Sequence, residues 1–163
     1  MTDQAELLTE IPLGLPGRIY RSPMPFSPYD RLGKVWGLYW QNGIKTVVVL
    51  TEQQEYLVHA RRDLLNFYRT EGLEAIHFPI PDFHAPGNPA ALEEVITNII
   101  ERLQNRERIA VHCMAGIGRT GTLLACTAKR YLTLDGKGAI DWVRQFLPNA
   151  LENQKQVQFV LTF

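Results

Sequence analysis

The 163-residue sequence holds only two cysteines, Cys113 and Cys126. That is too few for a disulfide framework, and no Cys or His pairs stand at zinc-ligand spacing. No run of 18 apolar residues occurs, so no transmembrane helix is expected. Met1 to Glu10 is polar and acidic and lacks the basic-then-apolar order of a secretory leader. A surplus of one charge is also missing. Lys and Arg total 17 against 17 for Asp and Glu, so bulk electrostatics support neither nucleic-acid nor membrane-surface binding. Internal repeats, low-complexity tracts and dividing linkers are absent. With 45% hydrophobic and 21% charged residues, the chain reads as one folded domain over residues 1–163, in a reducing, cytoplasmic setting.

What is present alternates between two periodicities. Residues 1–28 form an N-terminal segment, rich in Pro and Gly from Ile11, that reads as irregular chain around one short strand, Arg18 to Arg21. A helical pattern starts at Asp30 with Leu32, Val35, Trp36 and Tyr39 on one face, and Gly43 can stop it in a left-handed conformation. Thr46 to Leu50 reads as a buried strand, Glu55 to Glu71 as one helix ended by Gly72, and Ala75 to Ile80 as a second buried strand. Asn88-Pro89 opens a helix whose Leu92, Val95, Ile96, Ile99, Ile100 and Leu103 make one apolar stripe. Ile109 to His112 is a third strand. Helical patterns follow over Thr120 to Leu132, over Ala139 to Leu147 and from Glu152 onward. The alternation predicts an α/β three-layer sandwich with a central, mainly parallel β-sheet flanked by helices. Ligands of such folds sit beyond the carboxyl ends of the strands, and the stretch after Val111 is such a place.

That stretch, His112-Cys113-Met114-Ala115-Gly116-Ile117-Gly118-Arg119-Thr120-Gly121, joins a strand to a helix. Its glycines permit a tight curl whose backbone N–H groups point inward, and the following helix adds its own unpaired N–H groups and positive dipole end. Met114, Ala115, Gly116, Ile117 and Gly118 thus line a cradle for a dianion. A cysteine opens the cradle. A free thiol is only about 3% thiolate at neutral pH, whereas thiols at helix N-termini can be mostly thiolate there, and the thiolate is the nucleophile. Arg119 can grip two phosphate oxygens with its planar fork and stabilise a transferring phosphoryl group. Thr120 can donate its hydroxyl to the sulfur when sulfur leaves. In such a site Arg and backbone N–H groups meet the anion's charge where a cation otherwise could, so no metal and no cofactor are implied.

The His-Cys-x-x-Gly-x-x-Arg-Thr-Gly pattern resembles the signature of the protein tyrosine phosphatase superfamily. From Gly43 to Phe159 the order of parts is similar to the small atypical dual-specificity phosphatases. The similar parts include Gly43 to Glu52, Ile80-Pro81-Asp82-Phe83, Gly121 to Cys126, and Leu147 to Asn153 with Gln156 and Phe159. The resemblance implies a cysteine-dependent phosphatase that hydrolyses phosphate monoesters, on phosphotyrosine and phosphoserine or phosphothreonine in proteins, through a cysteinyl-phosphate intermediate. The partner would be a phosphorylated protein or peptide.

Expelling a phenoxide or alkoxide needs a proton, and the Cys113 loop supplies none. Asp82, behind a strand end in a Pro- and Gly-rich loop, is the candidate donor and would later act as base on the attacking water. His84 is the rival donor and otherwise a loop residue facing substrate or solvent. His112 resembles the family's supporting His, which braces the loop. Gln156 matches the Gln that places the second-step water in tyrosine-specific members, but a helix-surface Gln is ordinarily only solvated. The uncharged Met114, Ala115 and Ile117 speak against lipid or inositol polyphosphate substrates, for which related enzymes often carry Lys. Cys126 reads as a small core residue rather than a redox partner of Cys113. Arg18 and Arg21 read as solvated or ion-paired rather than as substrate contacts. Two other readings stay open: a phosphatase for a small phosphometabolite, nucleotide or RNA 5′ end, and a non-enzymatic phosphate-binding module.

Overall fold

In the central strands alternate side chains leave on opposite faces, and the burial follows that period of two. Val47 and Val49 enter one apolar cluster while Val48 and Leu50 enter the other. Ile109 and Val111 oppose Ala110 in the same way. A strand buried on both faces needs helices on both, and the computed structural model, which describes residues 4–163, has them. The strands are β1 (Thr9–Ile11), β2 (Arg18–Ser22), β3 (Thr46–Val49), β4 (Glu74–His77) and β5 (Arg108–His112), in the order β1-β2-β5-β3-β4. The β2–β5, β5–β3 and β3–β4 pairs are parallel; only β1 runs antiparallel to β2. One face carries α1 (Gln4–Leu7), α2 (Lys34–Gln41), α3 (Gln53–His59) and α4 (Leu64–Thr70). The other carries α5 (Pro89–Gln104), α6 (Gly118–Tyr131), α7 (Gly136–Arg144) and α8 (Gln154–Thr162). This is the expected three-layer sandwich with a mainly parallel sheet. Among the described residues no helix is long and apolar enough to cross a membrane.

Local chemistry explains where the expected elements moved. The N-terminal segment contains a second strand and a helical turn besides the expected strand; β1 is only three residues long, too short to show a period. Met1 to Asp3, the start of the polar leader reading, lie outside the described residues. Leu32 is not inward but 78% exposed. The reason is Asp30: its carboxylate accepts from Lys34 N at 2.8 Å and from Val35 N at 3.3 Å, so the helix starts at Lys34, after Leu32. The single helix expected over Glu55 to Glu71 is two. Arg61 turns left-handed at φ 54 and Asp63 caps the second helix through Asn66 N at 3.1 Å, so a strong start signal interrupts the apolar pattern. The strand expected at Ala75 to Ile80 is an edge strand, only half-buried and ending at His77. Extended chain continues past it, with Phe78 N and Ile80 N bonded to Val49 O and Leu50 O. Gly43 does take the left-handed conformation, at φ 66.

Helix α5 starts as its sequence dictates. Pro89 fills the first turn and the Asn88 side chain accepts from Ala91 N at 3.1 Å. Its stripe buries Leu92, Ile96, Ile99 and Leu103 completely, with Val95 and Ile100 at the margins. Helix α6 is buried on all sides from Gly118 to Ala128, wedged between the sheet and helices α5, α7 and α8. Truncation in this layer leaves a cavity that rigid neighbours cannot fill. Ile96→Ala is expected to lower unfolding free energy by about 2–5 kcal/mol, measured as a shift in the urea midpoint at unchanged m-value; a loss under ~1 kcal/mol would contradict the packing described.

Candidate active site

Strand β5 ends at His112 and helix α6 begins at Gly118, leaving Cys113 to Ile117 to turn the chain. The carbonyls of Cys113 to Gly116 are held outward. His112 Nδ1 bonds Cys113 O at 3.0 Å, Met24 N donates to Met114 O at 2.9 Å, Arg21 Nη2 to Ala115 O at 2.7 Å and Arg21 Nε to Gly116 O at 3.0 Å. In a planar trans peptide the next N–H points opposite to the carbonyl. Four successive carbonyls anchored on the outside therefore turn the amides of Met114, Ala115, Gly116 and Ile117 to the inside. The result is the concave set of donors that an anion needs.

His112 and Arg21 are both buried braces. His112 has no exposure, and because Cys113 O can only accept, Nδ1 carries the proton and Nε2 accepts from Tyr68 OH at 2.9 Å. Burial pushes the imidazole down to about 4, helped by the Arg119 charge and opposed by the bond to Cys113 O. Arg21 corrects an expectation. It is 5% exposed rather than solvated, with Nη1 on Glu6 O, because it fills the space between β2 and the loop. Its partner Arg18 keeps the surface ion pair expected, with Glu10 at 3.7 Å. The tell-tale for Arg21 was its register: it pairs with Val111, two residues before Cys113, in the neighbouring strand.

Arg119 is the largest fully buried side chain, 2% exposed. Glu55 holds it with two bonds of 2.8 Å, Oε2 to Nη1 and Oε1 to Nη2, and Ile80 O accepts from Nη1 at 2.9 Å. Asp82 Oδ1 lies 3.1 Å from Nη2. Burial opposes the guanidinium charge, but Glu55, Cys113 and Asp82 outweigh it and hold its affinity for the proton above the ordinary arginine value. Burial lowers that of Arg21, and the charge of Cys113 opposes the fall. Glu55 was missed from sequence as a site residue. The signal was available: it is the third helical residue after Glu52, whose N–H it accepts at 2.8 Å, immediately beyond the end of β3.

Cys113, Met114, Ala115 and Arg119 share a narrow cavity of about 50 Å³ with Tyr29, Asp82, Phe83 and Glu152. Gly116, Ile117 and Gly118, expected to line it as well, are not among the residues around it. Gly116 turns at φ 76, and a Cβ there would lie 2.2 Å from Ser22 O. Thr120 is fully buried and its hydroxyl has no hydrogen-bond partner among the described residues, Cys113 included. Asp82 is half-exposed, and the exposed His84 bonds Asp82 O at 2.7 Å through Nδ1.

The loop carrying Asp82 is tied down from α8. Asn153 Nδ2 donates to Phe83 O at 2.8 Å, and Gln156 Nε2 reaches His84 O at 3.4 Å. Phe83 sits left-handed at φ 60, a strained conformation for a residue with a side chain. Gln156 is not a solvated helix residue but fully buried, because its amide links the first turn of α8 to this loop; its Oε1 accepts from Glu152 N at 2.8 Å. Cys126 lies in the core, where burial pushes its thiol up to about 12; both cysteines are free.

A buried arginine facing a cysteine across a ring of inward amides, with a carboxylate at the mouth, defines a site of the phosphate-ester-cleaving thiol class. A family model described as "Polymorphic toxin system, DSP-PTPase phosphatase" matches residues 35–134. The solved Tk-PTP in its active form is 34% identical, with 90% of each chain covered and a TM-score of 0.71. The chain belongs to the dual-specificity branch of the cysteine-based protein tyrosine phosphatase superfamily. Cyclin-dependent kinase inhibitor 3 from Sus scrofa is 32% identical over 124 residues, covering 74% of this chain but 58% of that protein. A kinase-associated phosphatase with serine in place of its catalytic-site cysteine shares the fold at 21% identity and a TM-score of 0.84, over 97% and 94% of the two chains.

Two outcomes follow from the braces. Gly116→Ala should lower turnover of an aryl phosphate about 100-fold, since a displacement near 1 Å at such a site has that effect, with circular dichroism unchanged; near-wild-type turnover would contradict the crowding at Ser22. The unfolded His112 binds its proton near 6.5 and the folded one near 4, so the stability held by the neutral imidazole is complete above pH 6.5 and lost as pH falls toward 4. That contribution is about 3 kcal/mol. Urea unfolding at a pH series should show His112→Gln lacking this part of the acid destabilisation.

Proposed function

We propose that the protein is a phosphoprotein phosphatase acting on phosphotyrosine and on phosphoserine or phosphothreonine through a cysteinyl-phosphate intermediate. One domain over residues 1–163 would carry the reaction. The observation that carries this reading is the shared cavity of Cys113, Arg119 and Asp82 beneath the inward amides. The incoming phosphate would take the inward N–H groups of Met114 to Ile117, with Gly118 N–H at the helix start as a further donor. It would also replace Asp82 on the outer edge of Arg119, whose inner edge stays on Glu55 and Ile80 O. Cys113 Sγ then attacks phosphorus in line while Asp82, released and protonated, gives its proton to the departing oxygen. The Thr120 hydroxyl, buried and without a hydrogen-bond partner among the described residues, would donate to the sulfur when it leaves in the second step. The exposed Tyr29 and Phe83 frame the mouth and suit an aryl or peptide substituent around the phosphate. Two free, buried cysteines fit a reducing compartment, and the cytoplasm is the proposed location.

Cys113→Ser should abolish hydrolysis of an aryl phosphate while the fold survives. Asp82→Asn should slow a substrate with a poor leaving group by about 10²-fold or more while hardly affecting an activated one. Retained turnover in the first variant rejects the mechanism, and equal slowing in the second removes Asp82 as acid. A kcat/KM panel across phosphopeptides, inositol phosphates, nucleotides and triphosphorylated RNA assigns the substrate class.

A further inference from the structure

We propose that Asn153 is the positioning residue for the general acid: its side-chain amide latches the loop carrying Asp82 at the mouth of the site once a phosphate has taken Arg119. The proposal rests on the reading of Asp82 as the acid and names the group that keeps it in place during the reaction.

Asp82 stands in a short turn whose own bonds travel with it. His84 N donates to Pro81 O at 3.0 Å, Phe83 N donates to Asp82 Oδ1 at 3.0 Å, and His84 Nδ1 bonds Asp82 O at 2.7 Å. These bonds shape the turn but do not fix it to the rest of the molecule. Burial does not fix it either, since Asp82, Phe83 and His84 are all exposed. Among the described residues, three polar contacts leave residues 82–84. Asp82 Oδ1 meets Arg119 Nη2 at 3.1 Å, Asn153 Nδ2 donates to Phe83 O at 2.8 Å, and Gln156 Nε2 reaches His84 O at 3.4 Å.

The first of these is the contact that a substrate displaces. A phosphate on Arg119 takes the ion pair from Asp82 just when its proton is needed. The contact from Gln156 is long for a hydrogen bond. The bond from Asn153 is the short one that survives. It goes to the carbonyl of Phe83, the residue directly after the acid, which is held left-handed at φ 60. A backbone in that region persists only where its surroundings over-determine it. Relaxation at Phe83 would carry Asp82 with it.

The place requires an amide. Asn153 caps α8, its Oδ1 accepting from Gln156 N at 3.1 Å. Gln156 N can only donate and Phe83 O can only accept, so the two partners fix which end of the amide is which. With Oδ1 held by the cap, the planar group directs Nδ2 at Phe83 O. Aspartate would cap equally but set an anionic oxygen against that carbonyl. Serine would cap but has no second group to reach across.

The latch makes and breaks no covalent bond. As the S–P bond forms and the P–O bond breaks, the Asp82 proton goes to the leaving oxygen, and Asn153 sets only where that proton starts. Its effect must therefore scale with the need for a proton, small for a phenol that departs readily as its anion and large for one that does not.

Single-turnover release of phenol from a series of aryl phosphates tests this in the wild type, Asn153→Ser, Asn153→Asp, Asp82→Asn and the Asp82→Asn, Asn153→Ser double variant. Both Asn153 variants retain a capping oxygen, so their urea midpoints should stay near that of the wild type. Asn153→Ser should slow the poorest leaving group about tenfold, the effect of one hydrogen bond, and the most activated one hardly at all. Asn153→Asp should show the same dependence. Inhibition by inorganic phosphate should be unchanged, since the cradle is untouched. Adding Asn153→Ser to Asp82→Asn should change nothing at any leaving group, a result that a merely structural role would not produce. Equal slowing across the series overturns the proposal, as does slowing that adds to that of Asp82→Asn. Wild-type behaviour of Asn153→Ser beside a leaving-group-dependent Asp82→Asn overturns the latch alone. An Asp82→Asn variant that slows every substrate equally overturns the acid reading and the latch with it.

Discussion

The fold turns on the outward anchoring of the carbonyls of Cys113, Met114, Ala115 and Gly116. A loop of five residues has no reason of its own to aim its amides at a common point, since those groups gain as much from water. Here the opposite ends of the peptide units are taken first, by His112 Nδ1, Met24 N and the two Arg21 donors. Peptide planarity does the rest. The braces come together beside the parallel sheet: β2 delivers Arg21 and the chain just beyond it Met24, β5 delivers His112, and α4 supplies the Tyr68 hydroxyl that sets the His112 tautomer. The arrangement is thus a property of two neighbouring strand ends and a helix rather than of the loop alone.

A second layer of order concerns charge. Arg119 is a cation with almost no exposure, and such a group is stable in place only when paired. Glu55 pairs it bidentately from the first turn of α3, and Asp82 reaches it from beyond β4. The guanidinium is therefore oriented by the protein itself, with one edge on Glu55 and another on Asp82. Pre-orientation of this kind removes reorganisation from the reaction itself. The start of α8 completes the mouth, since Asn153 and Gln156 tie the Phe83–His84 backbone and hold a strained residue in place.

The amphipathic stripe of α5, the β-branched runs of β3 and β5 and the strand–loop–helix around Cys113 were legible because each is a local pattern whose burial follows its own period. The same locality explains what went astray. Leu32 and the split at Arg61 were decided by competing caps, Asp30 and Asp63, which an apolar period cannot weigh. The strand β1 was invisible because three residues carry no period. Arg21 and Gln156 looked like ordinary polar surface because nothing near them in the chain tells that a distant carbonyl waits for them.

By itself the sequence determined the layers and the strand-to-helix loop with its thiol and arginine, since these rest on spacing within one segment, and it offered Asp82 as a candidate acid from another. Tertiary structure alone decided which charges meet. Glu55 on Arg119, Arg21 on the loop carbonyls and Glu152 over Gly118 join residues 64, 94 to 95 and 34 positions apart. The physical reason is that a charge acts on whatever lies within a few ångströms in space, whereas periodicity along the chain records only which side of an element faces away from water.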